Sequence, residues 1–496
     1  MARRIEFEPS RTLTEFRLLP GLTNPETSVD TVSLETPLVR TGDGTLMLKA
    51  PVVSAAMQSV SGMRMGIELA KLGGVAFVFC SQSVQEQATM IERIKSHKAG
   101  FVEPRTVAPD AKLREVEALR RDAGYSTFPV VDDSGRLLGL ITRRDYDARI
   151  HADRPASERM IPRDQLDVGV GITDLAEANA LLIEGHRAVL PIVDADDRLL
   201  YLVFRKDIED HLDNPDMVSD ARKRLLSVAA INTHDAADRV PALAEAGVDV
   251  VSIDSSDGYS TYQRDTIEWI RSRYADLPVI GGNVITGAGF DYLVAAGAGA
   301  VKVGMGGGSI CITQEQKGTG RGLATAVIDV VGARDRHAQK TGEYIPVLAD
   351  GGIVTSKDVI VALALGADVV MMGRYFARMD ESPTEKIQIN GRIMKPYWGE
   401  GSARAREWSP ARYRHAAFVE GVEGFVEYAG KLRDNLPLLL SKLKAAMASC
   451  GCRTLIELHE NAELEIASAL SIREGKVHDI VQFGGGERDS LSSWST

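Results

Sequence analysis

Between Gly304 and Gly322 the chain reads GMGGGSICITQEQKGTGRG, seven glycines in nineteen residues around one cysteine, Cys311. A free thiol has a pKa of about 8.5, which cationic neighbours or a helix N-terminus lower, making a usable nucleophile at neutral pH. Glycine strips side chains from the loop, so backbone N–H groups can approach an anion and the thiol can be brought against a bound ligand. The company of Cys311 is polar, with Ser309, Thr313, Gln314 and Glu315 close by. Cys80, in FVFCSQS, instead reads as an inert core cysteine. Two further glycine clusters suit the same kind of ligand, ADGG (349–352) and MGRYF (372–376), and Arg374 in the second can add charge-assisted hydrogen bonds. A phosphorylated ligand is the expected occupant if the fold brings these loops together.

The elements that must do so recur. A helix-like run ends at glycine and a valine-rich run follows at once, in LGGVAFVF from Leu72, AGVDVVSID from Ala246, AGAGAVKVG from Ala296 and LGADVVMMG from Leu365. Glycine at a helix C-terminus followed by β-branched residues is a helix-to-strand junction. With PVVSAAM (51–57), LLSVAAI (225–231), LPVIGGNV (277–284) and IPVLADGG (345–352) the strands number eight. Apolar strands without alternation, covered by amphipathic helices, predict a buried parallel sheet, and eight such units favour a (β/α)8 TIM barrel over an open doubly wound sheet. In such barrels function sits at the C-terminal strand ends, and phosphate at the loops after the last strands.

The second and third strands are separated by an insertion. Within it FPVVDDSGRLLGLITRRD (128–145) matches LPIVDADDRLLYLVFRKD (190–207) at an offset of 62, each preceded by a helical run. This predicts two copies of a strand-turn-strand-helix unit. The expected domains are a discontinuous barrel over 1–100 and 221–496, with a flap at 378–421, and an inserted domain over 101–220. The stretch 391–421 shows neither helical nor strand period, as a lid or binding loop would, and a closing helix is expected over about 428–449.

At 496 residues, 44% apolar and 26% charged, the chain is ordinary for a soluble protein of more than one domain. Its net charge of −11 and lack of basic runs argue against nucleic acid. No uncharged apolar run reaches bilayer length, and four scattered cysteines fit neither a disulfide framework nor a zinc site. A cytoplasmic protein with small-molecule partners is expected.

The motifs SAAMQSVSG (54–62), DSSDG (254–258), GGGSICITQEQKGTGRG, ADGGI, MMGRYFA and MKPYWGEGS (394–402), in this order, resemble the IMP dehydrogenase family over essentially the whole chain. The insertion resembles a CBS pair (Bateman domain), which implies adenine or guanine nucleotide binding; a structural spacer is the alternative. The resemblance implies oxidation of IMP to XMP with NAD, through a covalent intermediate on Cys311 that water then hydrolyses. It implies Thr313 and Glu420 as one water-activating route, and Arg412-Tyr413 on the flap as another. Substrate contacts are implied for Ser54, Met57, Ser309, Asp350, Gly352, Gly373, Arg374, Met394, Tyr397, Gly401 and Glu420. Cofactor contacts are implied for Asp254, Ser255, Ser256, Gly304 and Gly306, with His234 and Tyr262 stacking on adenine. A potassium ion would be held by Gly306, Gly308 and Cys311, with Glu474, Gly475 and Lys476 from a neighbouring subunit of a homotetramer. The alternatives are a GMP reductase, which resembles the family in barrel, cysteine and Thr-Glu pair, and a silent nucleotide-sensing CBS protein.

Overall fold

The computed structural model describes residues 5–42, 44–97, 101–102, 104–123, 126–205, 208, 213–408 and 418–477. The chain divides into two compact units, one built from the segments before Ser96 and after Leu226, the other spanning His97–Leu225. The inserted unit is thus a few residues longer at each end than the sequence suggests. The reason is local: Leu225 N donates to the His97 carbonyl (3.3 Å), closing the unit at its neck.

Eight parallel strands form a closed barrel: β1 (Val52–Ser54), β2 (Val75–Val78), β3 (Val228–Ile231), β4 (Val250–Ile253), β5 (Val279–Val284), β6 (Ala300–Val303), β7 (Val347–Asp350) and β8 (Val369–Met372). Each pairs with the next, and β8 closes on β1 with Val370, Met371 and Met372 opposite Val52, Val53 and Ser54. All eight coincide with the runs read from the sequence. Their residues are buried on both faces apart from Asp350 at the end of β7, which is why the runs show no alternation. The junction glycines Gly73, Gly247, Gly297 and Gly366 all have φ between +81° and +103°, the left-handed turn that ends the helix before β2, β4, β6 and β8. Below the barrel, Lys95 pairs with Asp249 (2.7 Å), whose carboxylate also accepts from Ser227 N, tying the helix Val84–Ser96 to the strand entries.

In the inserted unit the repeat keeps a constant offset, and the two hairpins match in length. Helices Leu113–Ala123 and Leu175–Glu184, and hairpins 127–142 and 189–204, lie 62 residues apart. Val116, Phe128, Val130 and Ile141 share one core, and the positions 62 further on, Ala178, Leu190, Ile192 and Val203, share the other. The helix expected after the first hairpin is absent. Residues 143–150 run through turns, because the Asp145 carboxylate accepts from Thr142 N (2.6 Å) and offers the backbone a local alternative.

The stretch after β8 differs from the expectation of aperiodic chain. Ile387–Ile389, Arg392–Trp398 and Glu423–Glu427 form an antiparallel three-stranded sheet, and Ala403–Trp408 is helical. Asn390 (φ +50°) and Gly391 (φ +77°) make the tight turn of the first hairpin. The closing helix begins at Leu432 rather than near 428, because Glu423–Glu427 is strand and Gly430 turns the chain at φ +96°. It packs on the helices Met63–Lys71 and Ser356–Ala364. No helix among the described residues is long and apolar enough to cross a membrane.

Candidate active site

The C-terminal ends of the strands open into a cleft of about 1140 Å³, the solvent at its mouth included. Cys311, partly exposed, is delivered there by the glycine loop after β6. Its Sγ lies 3.2 Å from Thr313 Oγ1, and the Thr313 hydroxyl donates to Glu420 Oε2 at 3.2 Å. Thr313 opens the short helix Thr313–Lys317, while Glu420 comes from the returning leg of the flap. The two segments are zipped by backbone bonds, Ile312 N to Glu420 O (3.1 Å) and Val422 N to Ile310 O (3.0 Å). Glu420 N in turn donates to Gly401 O (3.1 Å), so the flap is pinched at its base. The position of the glutamate is therefore set by main chain, and the thiol, hydroxyl and carboxylate form one continuous relay.

Opposite lies the glycine-lined end. Gly307 and Gly308 after β6, Gly351 and Gly352 after β7, and Gly373 and Arg374 after β8 line one wall together with Ser309 and Tyr397. A Cβ on Gly373 would come within 2.8 Å of Tyr397 Oη and 3.1 Å of Met57 Sδ, so the backbone approaches the phenol only because a side chain is missing there. Burial pushes the Tyr397 phenol up to about 12, with Ser309 and Arg374 partly offsetting it, which keeps the group protonated and a donor at neutral pH. Backbone N–H groups, a guanidinium and a phenol converging on one concavity suit a phosphate.

Between these ends sits Asp350, the last residue of β7. Asn283 donates to its Oδ2 at 2.8 Å and to the Gly304 carbonyl at 2.9 Å. Burial raises the carboxyl above its ordinary range; Lys302 and Asn283 draw it back, and Asp254 adds to the rise. Asp254 and Ser256, after β4, continue the cleft wall.

Of the expected residues, Cys311, Thr313, Glu420, Met57, Ser309, Asp350, Gly352, Gly373, Arg374, Tyr397, Gly401, Asp254, Ser256 and Gly308 all line this cleft. Others do not. Ser54 is fully buried with its hydroxyl 2.6 Å from that of Ser61, a pairing that consumes it inside the barrel. Met394 lies in the middle sheet strand, away from the lining, paired with Ile387 and Glu427. Gly304 (φ +139°) packs on the Asp350 carbonyl and Gly306 (φ +74°) on the Gln314 side chain, so both shape the loop from behind. The Ser255 carbonyl accepts from Asn283 N (2.8 Å), holding the loop after β4 to β5. His234 and Tyr262 are exposed after β3 and β4, at the same end of the barrel but outside the cleft lining. Glu474, Gly475 and Lys476 end the helix Ala469–Glu474 and its C-cap beside Arg17, away from the cleft of their own chain. Arg412 and Tyr413 lie outside the described residues.

Several groups escaped the sequence reading. Lys302 is a buried lysine in the wall, visible in retrospect as the one charge in AVKVG. Glu400 also lines the cleft and accepts from Gln58 N (2.6 Å) and from the Ser81 hydroxyl, joining the loops after β1 and β2 to the flap. Trp398 Nε1 donates to Gln58 Oε1 (2.9 Å) and reinforces that junction.

A family model for the IMP dehydrogenase / GMP reductase domain matches residues 10–478. The chain is 48% identical over 488 residues to inosine-5'-monophosphate dehydrogenase of Tritrichomonas foetus, covering 96% of this chain and 97% of that one. It is 37% identical over 463 residues to the Escherichia coli (strain K12) enzyme of the same name, covering 91% and 92%. Among solved structures, GMP reductase from Trypanosoma brucei in complex with guanosine 5'-monophosphate is similar with a TM-score of 0.81 at 28% identity, over 96% of this chain and 99% of that one. With the barrel, the cysteine relay and the glycine-lined cleft already in view, these matches make the chain a member of the IMP dehydrogenase / GMP reductase family.

Proposed function

We propose that this protein oxidises IMP to XMP with NAD⁺, a step in guanine nucleotide synthesis. The observation that carries the reading is the relay from Cys311 through Thr313 to Glu420, facing a glycine, arginine and tyrosine wall across one cleft. The substrate phosphate is held by Ser309, Gly352, Gly373, Arg374 and Tyr397, and Asp350 accepts from the ribose hydroxyls. The Cys311 thiolate adds to C2 of the hypoxanthine ring, and C2 then loses a hydride. NAD⁺, when bound, is the hydride acceptor; Asp254 and Ser256 would hold its nicotinamide end, with His234 and Tyr262 presenting rings to the adenine. The resulting thioimidate is attacked at C2 by water, whose proton passes through Thr313 Oγ1 to Glu420. Collapse breaks the C2–S bond, its electron pair returns to Cys311 Sγ, and the C2 hydroxyl proton is released to give XMP. Splitting one difficult substitution into two steps is what the covalent bond achieves.

Arg412 is assigned to a second route of water activation. In Arg412→Ala the first turnover of NADH should stay fast while steady-state turnover falls by about tenfold or more, within the range general base catalysis contributes. Stopped-flow absorbance checks this, and loss of the burst would sink the Arg412 assignment.

Carbonyls of Gly306, Gly308 and Cys311 are assigned to K⁺, completed by Glu474, Gly475 and Lys476 of a neighbouring copy in a homotetramer. The Gly308 carbonyl accepts from Cys311 N (3.0 Å) and keeps a second lone pair, which fits a cation ligand. The repeat in the inserted unit supports a CBS pair that takes an adenine or guanine nucleotide. Four free cysteines support a reducing, cytoplasmic setting.

The deciding experiment mixes the protein with K⁺, NAD⁺ and IMP and follows the NADH band, beside a second cuvette of NADPH and GMP. NADH should form in the first, and turnover should fall by about tenfold or more when Na⁺ or Li⁺ replaces K⁺, if the cation orders the thiol loop. A fall in the second cuvette with nothing in the first makes the protein a reductase. Nucleotide binding with no turnover in either makes it a silent sensor.

A further inference from the structure

The relay does not end at Glu420. Lys317, four residues after Thr313 and on the same face of the short helix, sets its Nζ 3.6 Å from Glu420 Oε2, the oxygen that accepts from Thr313. The same ammonium donates to Asp257 Oδ2 at 2.9 Å, on the loop after β4 that also carries Asp254 and Ser256. Glu420 is only 11% exposed and Lys317 24%, whereas Asp257 is 58% exposed. Glu420 thus sits in a place where a carboxylate needs a counter-charge, and Lys317 is the cation found within 4 Å of it among the described residues. Gly318, in the left-handed region at φ +67°, ends the helix directly after Lys317 and keeps the lysine in its last turn.

We infer that Lys317 is a positioning residue for water activation: it fixes the Glu420 carboxylate on the Thr313 hydroxyl, and Asp257 holds the lysine in place. The role rests on the proposed Thr313–Glu420 route and adds to it a residue that touches neither substrate nor thiol. Burial alone would lower the Lys317 pKa, but Asp257 and Glu420 more than offset it and leave the group above the ordinary lysine value, so it stays charged through the neutral range. The chemistry assigned to it is confined to the second half of the reaction. Addition of Cys311 and loss of hydride from C2 require no proton at Glu420; passage of the water proton through Thr313 does.

The test is a double-mutant cycle on the full chain with IMP, NAD⁺ and K⁺, reading the pre-steady-state NADH burst and the steady-state rate. With Arg412→Ala closing the parallel route, Lys317→Met should leave the burst rate and the IMP KM within about twofold and lower steady-state turnover by about a further three- to tenfold, and Lys317→Arg should recover most of that loss. In a Glu420→Gln background Lys317→Met should add nothing further. A simple packing role would give additive losses and would not distinguish the burst from the steady state. Equal losses in burst and turnover, full additivity with Glu420→Gln, or unchanged turnover when Lys317→Met is added to Arg412→Ala each overturn the inference. If the unaltered chain forms no NADH at all, the dehydrogenase reading itself fails, and that outcome is read before any variant is made.

Discussion

Cys311→Ala is expected to abolish NADH formation, by about 10⁴-fold or more, while IMP binds within about threefold of the unaltered protein. The two halves of this expectation come from different walls of the cleft. The end of the cleft assigned to phosphate is lined by Gly307 to Ser309, Gly352, Gly373, Arg374 and Tyr397, and the sulfur contributes no group to it. Removing Sγ leaves Thr313 bonded to Glu420 and the backbone zipper between 310–312 and 420–422 in place, so the loop keeps its shape. Calorimetric titration with IMP and stopped-flow absorbance check the two parts. A burst of NADH from the alanine variant would show that C2 loses its hydride without a thiol adduct.

Asp350→Asn should act through charge rather than shape. The carboxylate accepts from Asn283 and faces Lys302, which is 1% exposed. An amide in its place keeps one acceptor oxygen and loses the charge and the second, so one of the ribose hydrogen bonds assigned to it, about 1.5–3 kcal/mol, should go and kcat/KM should fall by about 10–10². It also takes one of two carboxylates, Asp350 and Asp254, from the surroundings of the buried Lys302, so the melting temperature should fall. Steady-state kinetics and a thermal melt read the two effects separately. Wild-type kcat/KM for IMP would remove Asp350 from the ribose site, and 2'-deoxy-IMP, which lacks one of the two hydroxyls, should lose less than IMP does on going to the variant.

The barrel was legible because each of its strands is buried on both faces and four are announced by a glycine that must turn left-handed. Those are local signals, and they survive in a single sequence. The flap sheet was not read, although QINGRIM carries Asn390-Gly391, a strong hairpin signal. Lys395 and Pro396 interrupt the alternation there; Lys395 is buried and donates to the Met379 carbonyl, a tertiary use that periodicity cannot anticipate. The cysteine and the three glycine loops could be named from composition and spacing, and Thr313 as a relay residue through the family resemblance. Glu400 and Lys317 could not, because what defines each is a partner elsewhere in the chain, Gln58 and Ser81 for one and Asp257 and Glu420 for the other. For Ser54 the partner that the sequence does not show is Ser61, whose hydroxyl lies 2.6 Å from its own inside the barrel.

The bond from Glu420 N to the Gly401 carbonyl sets which part of the chain can change length cheaply. It divides the lower frame, where thiol, hydroxyl and carboxylate are fixed by main chain, from an insert whose two ends already meet. The entropic cost of lengthening an insert closed at its ends is about 0.6 kcal/mol per doubling. The stretch between the two anchor points can therefore lengthen at little entropic cost to the frame that holds Cys311, Thr313 and Glu420.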